Sequence, residues 1–395
     1  RPLLSRSFEV DRSYRFKKGS GLPVRIPVIE MVEIGAGGGS LASVDRLGRL
    51  QVGPESAGSE PGPACYGRGG QRPAVTDADV LLGRIDPETF ADGRLALDLE
   101  AARRAMDDQV GAGLGMSAVE AAYAVSEVVN ENMAAAARAH LGEWGRDARD
   151  RTLIAFGGAA PLHACHLARK LKLPRVVIPA NAGVGSAVGF LLAPVGFEVV
   201  RSLYMRLDEL DAGLVARLMD DMRREALDVV GAVVAEDRLV ARRRAFMRYL
   251  GQGYEIAVDL DEAPERLSSD ALRARFEENY AALYGRVIPG LEVEILSWTL
   301  NLAEAEPRYS LPPESVSRER RLQARTHTAL FDVLTGTTVD AACHERADLV
   351  PGDYVVGPAL IREAQTTVVV GTGFSACVGS RSSLVLVDEN LEGDS

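Results

Sequence analysis

The sequence predicts an α/β chain with an α+β block downstream and a small all-β domain at its C-terminal end. Three observations carry this. An apolar run at 152–156, a turn at Gly157-Gly158, a helical pattern opening at Pro161 and a second apolar run at 175–178 give a β-α-β order. That order implies a parallel strand pair joined by a crossover helix. From Arg201 long helical patterns alternate with strand patterns, and from Thr328 short apolar runs are separated by Gly/Pro turns such as 349–353.

The 395 residues allow several domains and a sizeable core. Hydrophobic residues make up 47% and charged residues 26%, the composition of an ordinary globular chain. A net charge of −11 argues against a nucleic-acid surface, which needs a basic stripe. It leaves room for a nucleotide, because a few local N–H groups hold a phosphate inside an acidic protein. Cys65, Cys165, Cys343 and Cys377 form no CxxC pair. Neither a structural metal site nor a disulfide framework is expected, and a reducing, cytoplasmic setting fits. No apolar run approaches the roughly 18 residues of a spanning helix, so no membrane is expected. The sequence opens Arg1-Pro2-Leu3-Leu4, without Met or an apolar leader, and reads as the interior of a longer chain.

Four segments follow from the patterns. Residues 1–112 are Gly/Pro-rich strands and turns, 113–200 hold the β-α-β unit, 201–306 are the α+β block, and 307–395 are a linker and the β domain. Residues 24–34 read as a buried strand. Runs at 41–44 and 50–52 flank a turn and form a hairpin. Thr76-Asp77 opens a short helix through Leu82. Ser117 and Glu120 have capping-box spacing and open a helix to about Leu141, with Val119, Tyr123, Ser126, Asn130, Met133 and Ala137 on one stripe. Further on, 207–234 and 269–283 are helical, and 240–250, 255–260 and 292–302 are strands.

Candidate chemistry lies in two glycine loops and a few polar side chains. Gly35, Gly37, Gly38 and Gly39, followed by Ser40, either make a structural turn or let backbone N–H groups approach an anion. They match neither a Walker A loop nor GxGxxG. Gly157, Gly158 and Ala159 precede a helix whose N-terminus presents N–H groups and the positive end of its dipole. The alternative is a plain strand-to-helix connection. Asp77 and Asp79 either position a cation or water, or serve as a cap and a solvated carboxylate. Glu30 and Glu33 sit on opposite sides of the expected strand, so at most one faces a site. His163 and His166 share a helix face beside Cys165, but no carboxylate nearby completes a metal set, and a helix-end hydrogen bond is the expected role of His163. Cys65 has no adjacent base and reads as a structural thiol.

Taken in order, several segments resemble the hydantoinase A/oxoprolinase family, which includes acetone carboxylase beta-type subunits. They are 31–40 (Met-Val-Glu-Ile-Gly-Ala-Gly-Gly-Gly-Ser), 52–67, 75–79, 82–87, 155–164, 182–187, 251–255 and 357–361. The resemblance covers nearly the whole chain and places it in the C-terminal portion of the family's subunit. It implies a partial actin/hexokinase-like ATPase fold, with ATP and Mg as cofactors. It also implies that the phosphate-holding loops lie upstream of Arg1, so the ATP site is incomplete and the chain alone does not turn ATP over.

The resemblance assigns Gly157, Gly158, Ala159 and His163 to the nucleotide's adenosine side. It makes the 35–40 loop a substrate or phosphate loop, and Asp77 and Glu33 catalytic carboxylates. Ala160 stands where the family usually has glycine, and 193–197 lacks the family's acidic residues. Family members activate an amide or carbonyl by phosphorylation, opening cyclic amides or carboxylating ketones. The implied partners are a B-type subunit, the N-terminal half of the same subunit, and a small cyclic amide or ketone, within an oligomer. A subunit that kept the fold but lost turnover is the remaining alternative.

Overall fold

The computed structural model describes residues 31–305 and 314–391, together with short strands at 4–5, 8–10, 22–24 and 28–29. The chain divides into two compact units: Arg1–Gly189 with Pro312–Ser395, and Phe190–Leu311.

In the first unit, β1 (Ser40–Val44) and β2 (Leu50–Ser56) form the expected antiparallel hairpin. Helix α1 (Val75–Leu81) follows, then α2 (Leu99–Met106), capped by the Asp98 carboxylate. Helix α3 (Ala118–Glu143) starts where the Ser117/Glu120 spacing predicts, with the Ser117 N–H donating to Glu120 Oε2 at 2.9 Å. Its deepest face overlaps the expected stripe only at Ser126 and Asn130, both fully buried. Ala121, Ala122, Val125 and Val129 are fully buried, while Val119, Tyr123 and Met133 are only half-buried. Small side chains on that face let α1 approach closely, with Val75, Ala78 and Leu82 packed against it.

The β-α-β unit is β3 (Thr152–Ile154), α4 (Ala160–Leu171) and β4 (Arg175–Ile178), and its strands pair in parallel. The C-terminal strands are β9 (Arg320–Arg321), β10 (Thr326–Asp332), β11 (Thr337–Glu345), β12 (Asp353–Val356), β13 (Ala359–Glu363), β14 (Thr366–Val370), β15 (Phe374–Val378) and β16 (Leu384–Asp388). Four of them enter the sheet of the β-α-β unit, whose order is β9-β12-β15-β16-β4-β3. The other four form the sheet β10-β11-β13-β14. The C-terminal β region is therefore part of one core with α4, since Ala164, Ala168, Val176, Phe374 and Leu386 belong to a single cluster. Arg169 on α4 makes a two-pronged pair with Asp388, both contacts at 3.0 Å. β3 ends the sheet order, and Ile154 and Phe156 beside it are more than half exposed.

The second unit is the expected α+β block. β5 (Gly196–Arg206), α5 (Ala212–Val230), β6 (Leu239–Tyr249), β7 (Ile256–Asp259), α6 (Ser269–Tyr284) and β8 (Val293–Glu304) give an antiparallel sheet of order β7-β6-β8-β5. Met219 and Met222 of α5 and Phe276 of α6 pack with Met247, Tyr249 and Trp298 of the sheet. Helix α5 begins later than 207 because Asp211 caps it, accepting from the Leu214 N–H at 2.9 Å.

The expected strand at 24–34 does not extend over 31–34. Residues 31–36 have no regular structure, and Glu30 lies outside the described residues. No described helix is long and apolar enough to cross a membrane. Replacing Ser117→Ala should lower the thermal midpoint of the first unit by about 2 °C, from the roughly 1 kcal/mol a cap contributes. An unchanged melting curve would show that Glu120 alone secures the helix start.

Candidate functional site

The 35–40 loop is stapled from within and from below. Ser40 Oγ donates to the Gly35 carbonyl at 2.9 Å and accepts from the Gly37 N–H at 3.0 Å. The Gly38 carbonyl accepts from both the N–H and the hydroxyl of Thr76, at 2.8 and 2.9 Å. Thr76 lies in the first turn of α1, so the loop hangs on that helix. Glycine is needed at 35, where φ is +59° and an added Cβ would lie 2.8 Å from Pro54.

The 157–160 turn sits at the head of α4. Gly157 has φ +98°, a left-handed conformation in which an added Cβ would still meet nothing within 4 Å. Its N–H donates to the Ala182 carbonyl at 2.7 Å, and Gly158 accepts from Thr366 Oγ1 at 2.8 Å. The turn from β13 to β14 thus rests on this loop. The same turn helps to wall a cavity of ≈ 340 Å³ that Gly158 and Leu162 border, with Phe90, Arg94 and Arg362 among its other residues. Gly158 itself remains exposed. The two glycine loops lie close together, since a Cβ added at Gly38 would stand 4.0 Å from the Ala159 methyl.

Beneath the loops is a buried polar cluster. Arg84, only 2% exposed, donates through Nη1 to Asp79 Oδ1 at 2.8 Å and through Nη2 to Ser126 Oγ at 2.9 Å. His163, 1% exposed, points into this cluster instead of the cavity. Its Nδ1 lies 3.5 Å from Arg84 Nη1 and 3.3 Å from Asn130 Nδ2. Both neighbours are donors, so Nδ1 accepts and Nε2 carries the proton, 3.3 Å from Asp79 Oδ2. Burial pushes the Asp79 carboxyl up, but His163 and Arg84 beside it hold it below the usual carboxylate value. Buried in this way, His163 is not placed to touch a nucleotide.

Asp77 takes the capping role of its two expected alternatives. It is fully buried, Oδ2 accepts from the Ala64 and Ala74 N–H groups at 3.1 and 2.7 Å, and Oδ1 accepts from the Cys65 N–H at 2.7 Å. A carboxylate committed to three backbone donors is not free to act as a base, which corrects its reading as a catalytic group. Burial and the Asp77 charge raise the Cys65 thiol, leaving it protonated. Glu33 is exposed on the irregular segment before the 35–40 loop. Burial and Lys170 push His166 down to about 3, so it is neutral. Among the described residues no three His, Cys, Asp or Glu groups converge as a metal set.

Arg84, Ser126 and Asn130 are absent from the sequence reading of the site. Their one signal is that Ser126 and Asn130 interrupt an otherwise apolar helix face. Asp77→Asn turns one acceptor into a donor facing backbone N–H groups. It should cost about 1–3 kcal/mol of stability, with the turnover per folded molecule unchanged. Thermal unfolding beside activity per folded protein checks this, and lost turnover at an unchanged midpoint would return Asp77 to the chemistry.

The chain matches two consecutive family models, hydantoinase/oxoprolinase over residues 3–199 and the hydantoinase/oxoprolinase C-terminal domain over 215–385. It is 31% identical to the caprolactamase subunit alpha of Pseudomonas jessenii over 89% of this chain and 51% of that one. It is 30% identical to the acetophenone carboxylase gamma subunit of Aromatoleum aromaticum over 88% of this chain and 49% of that one. A nucleotide-free structure of acetone carboxylase has the same fold, with a TM-score of 0.82 at 23% identity, over 98% of this chain and 55% of that chain. The chain spans about half the length of the curated relatives it matches. Two consecutive matches that together run from residue 3 to residue 385 leave one conclusion: the chain belongs to the hydantoinase/oxoprolinase family.

Proposed function

We propose that this chain forms one side of the nucleotide site in an ATP-dependent enzyme that activates a cyclic amide for ring opening. The observation that carries this reading is the Gly157-Gly158 turn at the head of α4, which borders a cavity of ≈ 340 Å³ through Gly158 and lies close to a second glycine loop. Helix α4 has 12 residues, enough for a full dipole, and its N-terminus favours an anion or a polar ligand edge. The cavity lies within the roughly 300–1,000 Å³ range of small-molecule sites. Gly157, Gly158 and Ala159 present little side chain to a ligand, so the backbone is open to the adenosine end of ATP. Bound there, ATP supplies the phosphoryl group that converts a poorly electrophilic amide carbonyl into a reactive one.

The chain's own residues bind and orient. The α4 N-terminus and the Gly158 edge hold the nucleotide, and the 35–40 loop faces the reacting end. No metal ligands are assigned, because no acidic or histidine set in the described residues converges as one. Stabilising charge at the β- and γ-phosphates needs further donors and a cation. We therefore assign turnover to an assembly with further segments of the longer subunit and a B-type subunit. Both curated relatives are themselves named as subunits. The name of the caprolactamase relative supports the cyclic amide, and the acetophenone carboxylase likeness, at 30% identity, supports ATP-dependent carboxylation of a ketone as the second reading.

Phosphate release by the complete enzyme separates these readings. Release that requires a lactam, hydantoin or 5-oxoproline, without bicarbonate, is the expected result. Release that requires both a ketone and bicarbonate would establish the second reading, and no release with any of these substrates would favour a scaffold. Gly157→Ala should weaken ATP binding by about tenfold, because the loop must leave its left-handed conformation at a cost of about 1–2 kcal/mol. Calorimetric titration checks it, and unchanged affinity would move the nucleotide away from this loop.

A further inference from the structure

Both glycine loops are anchored to the same buried cluster. The 35–40 loop hangs on Thr76 of α1, and Asp79 lies three residues further along that helix. The 157–160 turn opens α4, and His163 lies in the first turn of that helix. Arg84 touches the partners from both sides. Its Nη1 contacts Asp79 Oδ1 at 2.8 Å and His163 Nδ1 at 3.5 Å, and its Nη2 reaches Ser126 on α3 at 2.9 Å. Asn130, one turn along α3, donates to the same histidine nitrogen at 3.3 Å.

A charged pair taken wholly out of water stabilises little by itself, because desolvation offsets the attraction. What such a pair does supply is geometry, since each partner is uncompensated if the other moves. Here both members of the pair lie on or just after α1, and they meet α4 through His163, whose Nδ1 is 3.5 Å from Arg84 Nη1 and whose Nε2 is 3.3 Å from Asp79 Oδ2. The loops come nearest one another at Gly38 and Ala159 among the positions described, where a Cβ added to the glycine would stand 4.0 Å from the alanine methyl.

We propose that Arg84 is a positioning residue that, with Asp79 and His163, fixes the two glycine loops against one another so that they open and close as one unit. The proposal rests on the nucleotide reading for its purpose but not for its test. Gly37, Ser40, Thr76 and Gly157 each have an N–H bonded within or beneath the loops, to Ser40 Oγ, Gly37 O, Gly38 O and Ala182 O. Their amide exchange rates report opening directly.

Hydrogen exchange on the full chain compares the wild type with Arg84→Lys, which keeps the charge but loses the fork, and with Ser126→Ala, which removes the acceptor shared by Arg84 and Asn130 and leaves the ion pair. The expected result is a joint rise of all four rates, about tenfold or more in Arg84→Lys and smaller in Ser126→Ala. Amides of the second unit should be unchanged. Deprotection of one loop without the other would overturn the proposal, as would a fall in melting temperature with all four rates unchanged. If Arg84→Lys does not fold, Ser126→Ala is read by the same criterion. Repeating the measurement with ATP separates the two claims. Joint opening in a chain whose loops ATP does not protect leaves the positioning standing and removes the nucleotide reading.

Discussion

A guanidinium with no route to water must be satisfied from every side, and the interior around Arg84 is arranged to do so. Asp79 supplies the charge, Ser126 an acceptor and His163 a second acceptor whose tautomer is set by its neighbours. Three helices are held in mutual register by these contacts, and small residues along α3 let them come close enough to form. Of the loops that a ligand would meet, one opens α4 and the other is bonded to the first turn of α1 through Thr76. Their shape is therefore decided below the surface, by groups that no ligand touches.

The polar interior also explains why glycine recurs where it does. The 35–40 loop folds tightly around the Ser40 hydroxyl, and its residues press on Pro54, Ser56 and Thr76, leaving no room for a side chain at several points. Gly157 differs. Nothing crowds it, and only its backbone angle demands glycine. The first loop is thus constrained by packing as well as by the backbone angle at Gly35, the second by conformation alone, and the second is the one that borders the cavity.

Much of this architecture was legible in local sequence. Capping residues placed α3, and apolar runs placed β3 and β4, because those signals act over a few residues. The α+β block was visible for the same reason, as periodicity changes at its start. Pairing between distant strands was not legible. Nothing in 384–388 announces that it pairs with β4, so the C-terminal strands read as a separate domain while they share a core with α4. Among site residues, the two glycine loops were visible as composition. The inward turn of His163 and the commitment of Asp77 to three backbone donors were not, because both depend on what surrounds the side chain. Arg84 was hidden for a related reason, since a charged residue after a helix ordinarily lies in solvent.

The strand order also bears on how the polypeptide reaches its native state as it is synthesised. The sheet that begins with β3 and β4 is completed by β16, and the second unit lies between them in sequence. The bond from Thr366 to Gly158 spans 208 residues, and that from Arg169 to Asp388 spans 219. Until those last strands leave the ribosome, β4 has no neighbour on its β16 side, while the intervening α+β block has all four of its strands. Closing so long a loop is entropically slow. The inserted unit can therefore fold first, and the half that carries the glycine loops must wait, with apolar strand surface exposed, for β12, β15 and β16.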